Sequence, residues 1–427
     1  VPKSIIENDG SKQLRIIKLG DALNLKYDSN IFYICRDHKT SLEHLFSGKN
    51  ILDHGFFLHL QGYQYKLFWD FREVYDATGT YQKIYEWLQG RGVSSIADTI
   101  KEHTLIPVHR VMDELYSNQI IEEVNSFCFD TDNVSEKTLI PGNVIHKMES
   151  LIYEINHIES IPLNKDEVIT EVKNDLSSTK YFFETWIKAL KETKSKKLFR
   201  NINDSLGIFN SDSGQNRQVL FIINTIKNLN SKNVLRHDYE NIFDRLWMGK
   251  KFAEFFDKWQ YNHDVKERNI SLIRCLSFHS DMLNIDFTTA NKKAIKTKKS
   301  NTNGINDVVT IESILLNKIF DSTYIRNFLN YNEYDGIYYY SKERFENLMD
   351  WMFTLNNISF TKRLALNENA PKKRKTRKEK ENDKEKEMTI RKKIVAHIKK
   401  NYTFFNNLKK ASDKSGYKVE DLLKLFE

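Results

Sequence analysis

The chain has 427 residues, 40% of them hydrophobic and 12% aromatic, with only 15 Gly and 5 Pro. That composition excludes a chain disordered throughout and disfavours collagen-like or turn-dense all-β designs. Its net charge of +8 excludes an acidic, halophile-like surface. The excess is local: residues 371–393 carry twelve basic and five acidic side chains, and residues 291–300 five basic and no acidic ones. The rest of the chain is therefore mildly acidic, and the sign of the total describes two segments rather than a body.

Residues 14–19 (LRIIKL) and 31–35 (IFYIC) are short β-branched and aromatic runs bounded by Gly, Asn, Asp or Ser, which predicts strands. Residues 41–52 read as a short helix or irregular excursion broken at Gly48. Residues 56–60 lead through Gln61 and Gly62 into 63–71 (YQYKLFWDF), where every odd position is apolar or aromatic. Period two over nine residues predicts a strand with one face buried in a small antiparallel sheet.

From about residue 80 the period becomes helical. Ser95 and Asp98 form a capping box ahead of a helix over 96–105, which Pro107 is expected to end. Val144, Ile145, Met148, Leu151, Ile152, Ile155 and Ile158 keep a 3.6-residue stripe, as do Phe182, Phe183, Trp186, Ile187 and Leu190. The pattern recurs over 242–259, 308–319 and 345–353. Residues 201–216 and 284–306 read as polar surface loops. Residues 366–390 read as a solvated helix or a linker. Two terminal helices, 390–408 and 419–426, are joined through Ser415 and Gly416.

Few motifs carry chemistry. There is no GxxxxGK[ST] or GxGxxG; Gly90 and Gly92 read as a helix C-cap and turn. The histidines form no HExxH or HxH pair, so no metal site is expected. Ser177 and Lys180 fit an SxxK spacing without companion motifs. Cys35 and Asp37 share a strand face from which His38 points away. Asp70 and Glu73 flank the end of the aromatic strand, where a sugar would stack, but surface ion pairing is the simpler account. Cys35, Cys128 and Cys275 are widely spaced with no CxxC, which points to free thiols in a reducing, cytoplasmic setting. The most apolar stretches are far short of the ~20 residues of a membrane span. The chain opens on Val1 rather than Met, which reads as a piece of a longer protein or a processed chain.

The stretch FYICRDHKTSLEHLFSGKNILDHGFFLHLQGYQYKLFWDFREV (32–74), followed by LQGRGVSSIADTI and PVHRVMDEL, resembles the region after the catalytic barrel in large bacterial and archaeal α-amylase-like proteins of glycoside hydrolase family 13. NEYDGIYYYSKERFENLMDWMF (332–353) and the closing SGYKVEDLLKLF resemble that group's far C-terminal part. The family's catalytic aspartates and glutamate sit in motifs such as GxRxD and NHD on a (β/α)8 barrel, and neither motif occurs here. The resemblance therefore implies no catalytic, cofactor-binding or metal residue. It implies a partial β-sandwich, whose last strands include the aromatic one, followed by a helical domain.

Together these readings give a mostly-α α+β chain: a short antiparallel β-sandwich-like part at 1–75, an all-helical domain at 76–365, a charged linker at 366–390 and a C-terminal helix pair at 391–427. The expected function is a non-catalytic accessory region of an α-amylase-like glycoside hydrolase, meeting α-glucan through the parent enzyme, with Tyr81, Tyr85, Trp87 or Tyr338–Tyr340 as stacking surfaces where they are not core. No cofactor and no membrane partner are expected. The alternative is a helical scaffold or nucleic-acid-binding protein using the basic 371–393 tail.

Overall fold

A computed structural model of the chain describes residues 2–6, 12–56, 58, 60–130, 139–159, 162–192, 196–207, 214–230, 241–287, 310–368 and 377–427. The fold is mostly helical with a small antiparallel sheet near the N-terminus. The chain divides into two units, Val1–Pro107 and Val108–Glu427.

In the first unit, β1 (Pro2–Ile6) and β2 (Lys12–Ile16) form their own antiparallel hairpin, followed by the short α1 (Leu19–Ala22). The predicted run at 31–35 becomes β3 (Ile31–Asp37), the centre of a sheet ordered β4 (Glu43–Ser47), β3, β5 (Phe68–Tyr75). Alternation along β3 divides the core. Phe32 and Ile34, with Leu45, pack on Ile84 and Leu88 of α3 (Thr80–Leu88) and on Ile96 of α4 (Ile96–Leu115). Ile31 and Tyr33 pack on Ile51 of α2 (Gly48–His54). Helices thus lie on both faces of the sheet, where a sandwich would place a second sheet.

Three expectations for this unit are corrected. Residues 41–52 are a strand and then a helix: residues 43–47 fold back on β3 in antiparallel register, with Cys35 opposite His44. Ser47 then caps α2, its Oγ accepting from the Asn50 N–H at 3.4 Å. Gly48 opens that helix because the chain passes close to other backbone, not because the helix breaks. A Cβ there would lie 2.7 Å from the Lys26 carbonyl oxygen and 3.1 Å from that of Ile31. Gly48→Ala is expected to cost about 1–3 kcal/mol in urea unfolding; a loss below about 0.5 kcal/mol, the scatter of neutral substitutions, would show that this contact relaxes freely.

The aromatic strand starts at Phe68, not at Tyr63, and bulges: the register with β3 shifts between Ile34 and Arg36, and Asp70 takes φ +55°. A bulge interrupts the strict alternation that period two assumes. Pro107 does not end its helix either. Leu105, Val108, Val111, Met112 and Leu115 are all buried, and this continuous stripe outweighs the hydrogen bond that proline removes. The boundary between the units falls inside α4, at that proline. Gln89 in the left-handed region and Gly90 at φ +79° end α3, as the Gly90–Gly92 reading expects.

The second unit continues through α5 (Asn118–Phe129), α6 (Gly142–Ile158), α7 (Lys165–Glu192), α8 (Lys196–Leu206) and α9 (Gly214–Ile226), which runs into a 3-10 turn at Lys227–Leu229. α10 (Ile242–Arg245), α11 (Met248–Lys258) and α12 (His263–Phe278) lead to a second 3-10 turn at Ser280–Asn284. After α13 (Ile311–Asp321) and α14 (Thr323–Phe328), a hairpin of β6 (Asn332–Tyr334) and β7 (Ile337–Tyr339) precedes α15 (Lys342–Glu368), α16 (Arg377–Lys414) and α17 (Val419–Lys424). α15 is the axis: every residue from 351 to 358 is buried, and the helix packs against α7, α8 and α16.

The loop expected at 201–216 is helical through Leu206, because Phe199, Ile202 and Leu206 are buried on one stripe; residues 208–213 lie outside the described residues. The helix expected at 242–259 is split by Trp247 at φ +49°. Of the 284–306 loop, residues through Phe287 are described, and that ring is buried against Phe404 and Phe405 at 4.7 and 5.1 Å. The rest, with the basic 291–300 run, lies outside the described residues. Within 366–390, α15 extends to Glu368 and α16 begins at Arg377, while Pro371–Lys375 also lies outside them. Among the described residues no helix is long and apolar enough to cross a membrane.

Candidate functional site

The residues singled out in the sequence do not converge. Cys35, Cys128 and Cys275 are free and buried, and burial pushes each thiol up to about 12, which keeps them protonated and unreactive. Asp37 bonds Lys66 at 2.6 Å and Thr40 Oγ1 at 3.0 Å, while His38 is exposed. Ser177 is exposed on α7, and Lys180 lies 4.7 Å over the Phe127 ring. Asp70 pairs with Arg72 at 3.5 Å, and Glu73 pairs with Lys26 at 2.5 Å and accepts from Tyr33 Oη at 3.1 Å. Surface ion pairing accounts for both carboxylates.

The flagged aromatics divide. Tyr81 and Tyr85 lean on the sheet core, and Tyr340 is buried with its hydroxyl 2.8 Å from Ser412 Oγ. Trp87 is exposed beside Arg91, 5.3 Å from its ring. A different set stands open: Tyr63 is fully exposed, Tyr65 is 67% exposed, Trp69 54% and Tyr75 64%, with Leu67 and Phe71 between them. These side chains lie on or just before β5, an edge strand.

One concavity among the described residues was not legible in the sequence. It lies in the second unit, where α7 and α15 meet the two 3-10 turns, and holds about 280 Å³. Asn164, Glu167 and Asn284 stand exposed at its mouth, and Asp175, Val168, Leu283 and Leu355 are buried deeper. Asn164 caps α7, its Oδ1 accepting from the Glu167 N–H at 3.2 Å.

A closed set of charges lines one wall. Asp175 Oδ1 receives Lys362 Nζ at 2.7 Å, and Oδ2 receives Asn228 Nδ2 at 2.7 Å and Lys227 Nζ at 3.1 Å. Lys362 also reaches Glu171 at 2.6 Å, and Lys227 donates to Asn224 Oδ1 at 3.1 Å. Burial pushes the Asp175 carboxyl up, but the Lys227 and Lys362 ammoniums overrule it and hold it below its ordinary value. Burial likewise pulls Lys362 down, and Asp175 and Glu171 more than restore it. For Lys227 burial prevails and its ammonium is held lower than usual.

Next to this wall on α15, Asn356 donates to the Leu283 and Ile285 carbonyls at 2.9 and 2.8 Å and accepts from Asn401 at 3.0 Å. His397 stacks on Phe360 at 3.6 Å, and burial lowers its imidazole to about 4. These buried amides fix the second 3-10 turn, and hence one wall of the cavity, to α15 and α16. Among the described residues no group of three or more His, Cys, Asp or Glu is placed to hold a metal ion. Compared with protein-family models, with curated proteins and with solved structures, the chain matches none.

Proposed function

We propose that the chain is a non-catalytic accessory region of an α-amylase-like enzyme and that it docks α-glucan along the aromatic row of residues 63–75. The observation that carries this reading is the row itself. Tyr65, Trp69 and Tyr75 stand more than half exposed on or just before an edge strand, and because the bulge sets Trp69 opposite Arg36 but Tyr75 opposite Ile31, they offer stacking rings on both faces of that open edge. Aromatic faces take the C–H face of a pyranose, and a tyrosine hydroxyl adds a polar handle. Asp70, Arg72 and Glu73 supply donors and acceptors for sugar hydroxyls in the same strand.

The test is retention on amylose and calorimetry with maltoheptaose. The intact chain is expected to bind without hydrolysing the sugar, and Tyr65→Ala with Trp69→Ala to weaken binding about tenfold, the equivalent of ~1.4 kcal/mol. Absence of binding by the unmodified chain would overturn the docking role. Turnover that a single carboxylate substitution abolishes would overturn the non-catalytic one.

A further inference from the structure

We infer that the cavity between α7, α15 and the two 3-10 turns of the second unit binds a neutral polyol of single-ring size. The inference stands on residues other than the aromatic row and does not depend on it.

Charge closure is the first argument. The ionised side chains around the cavity are three anions, Glu167, Glu171 and Asp175, and three cations, Lys227, Lys362 and Arg363. Asp175 is already shared between Lys227 and Lys362, and Glu171 is paired to Lys362. A phosphate would have to draw the lysines away from Asp175, and an ammonium would compete with them for it. Breaking a buried pair costs several kcal/mol, so a charged guest is disfavoured whichever sign it carries.

Hydrogen-bonding capacity is the second. An ammonium has three protons; the bonds from Lys362 to Glu171 and Asp175 use two, and those from Lys227 to Asp175 and Asn224 use two. Asn228 spends its amide protons on Asp175 and the Asn224 carbonyl, at 2.7 and 2.8 Å, so its Oδ1 is the atom it can offer a guest. Hydroxyl groups both donate and accept at one atom, so a polyol can use such donors and acceptors together.

Shape is the third. Val168, Leu283 and Leu355 interrupt the polar wall with apolar surface, which suits the C–H surface of a ring whose rim is hydroxylated. About 280 Å³ is room for roughly nine waters at ~30 Å³ each, enough for one hexose-sized ring.

The experiment is ligand-observed NMR and calorimetry on the full chain with methyl α-glucoside and myo-inositol, using inorganic phosphate and glycine as charged controls. At least one neutral polyol is expected to bind with Kd in the range of about 0.1–10 mM, more tightly than either control. Ser359→Trp, which fills the cavity, is expected to weaken it more than tenfold, and Glu167→Ala at the exposed mouth about fivefold. Trp69→Ala in the first unit is expected to leave it unchanged, which separates this site from the glucan row. No binding of either polyol at about 50 mM, tighter binding of phosphate or glycine, or unchanged affinity in a folded Ser359→Trp would overturn the inference. Should that variant fail to fold, unchanged affinity in Glu167→Ala overturns it alone.

Discussion

Replacing Asp175 with leucine is expected to destabilise Val108–Glu427 by about 3–5 kcal/mol. The carboxylate is 3% exposed and holds Lys227 and Lys362 at 3.1 and 2.7 Å, each lysine 14% exposed. Without it two ammoniums remain in a poorly solvated wall, and Asn228 loses its acceptor. The cost is chiefly that of stranded charge, not of a lost attraction. Asp175→Leu combined with Lys227→Met and Lys362→Met is therefore expected to recover most of the loss, which guanidinium unfolding followed by tryptophan fluorescence measures. A triple variant as unstable as the single one would show that the aspartate acts by shape instead.

The same residue sets a pH dependence. Its folded-state pKa is depressed, so its contribution is complete above the ordinary carboxylate range, about pH 4, and is lost as the pH falls through the folded-state value. The gap between the native chain and Asp175→Leu is expected to be constant near neutrality and to narrow in acid. A gap that widened in acid would contradict the assignment.

Trp186→Ala is expected to cost a similar ~3–5 kcal/mol, for an apolar reason. The indole is completely buried on α7 and lies flat on Phe199 of α8, ring centroids 5.1 Å apart and planes 8° from parallel. Its N–H donates to Asn203 Oδ1 at 3.3 Å. Truncation leaves a cavity that the ring of Phe199 cannot fill and removes the stack that ties α8 to α7. Hydrogen exchange is expected to accelerate in α8 before the rest of the unit, and Trp186→Phe to lose about half as much, since most of the volume stays. Uniform acceleration across α7, α8 and α15 would show that α8 has no separate dependence on this stack.

Helical faces were readable because periodicity is a local property. Val144, Met148, Leu151, Ile152 and Ile155 are spaced for one face of a helix, and all five are buried in α6. The expectation of an all-helical 76–365 missed the β6–β7 hairpin although its signal is local: Asp335 and Gly336 adopt φ +52° and +72°, the mirror-image turn that an Asp-Gly pair between short strands favours. Punctuation by glycine and proline misled where tertiary contacts overruled it. Gly48 is demanded by neighbouring backbone, and Pro107 is carried through by the buried stripe around it.

The sequence by itself determined a mostly helical α+β chain with a short sheet near its start, three unpaired cysteines, and an aromatic row of period two at 63–71. Period two predicted that one face of that row is buried, and the structure overturns this, because alternation says which residues share a side and not what lies against them. Only the tertiary structure decided that β5 is an edge strand with Trp69 and Tyr75 in the open. Only it decided the charged cavity too. Asp175 and Lys362 are 187 positions apart and meet at 2.7 Å, since a buried ion pair joins whatever segments the core brings together, and no spacing in the chain announces its partner.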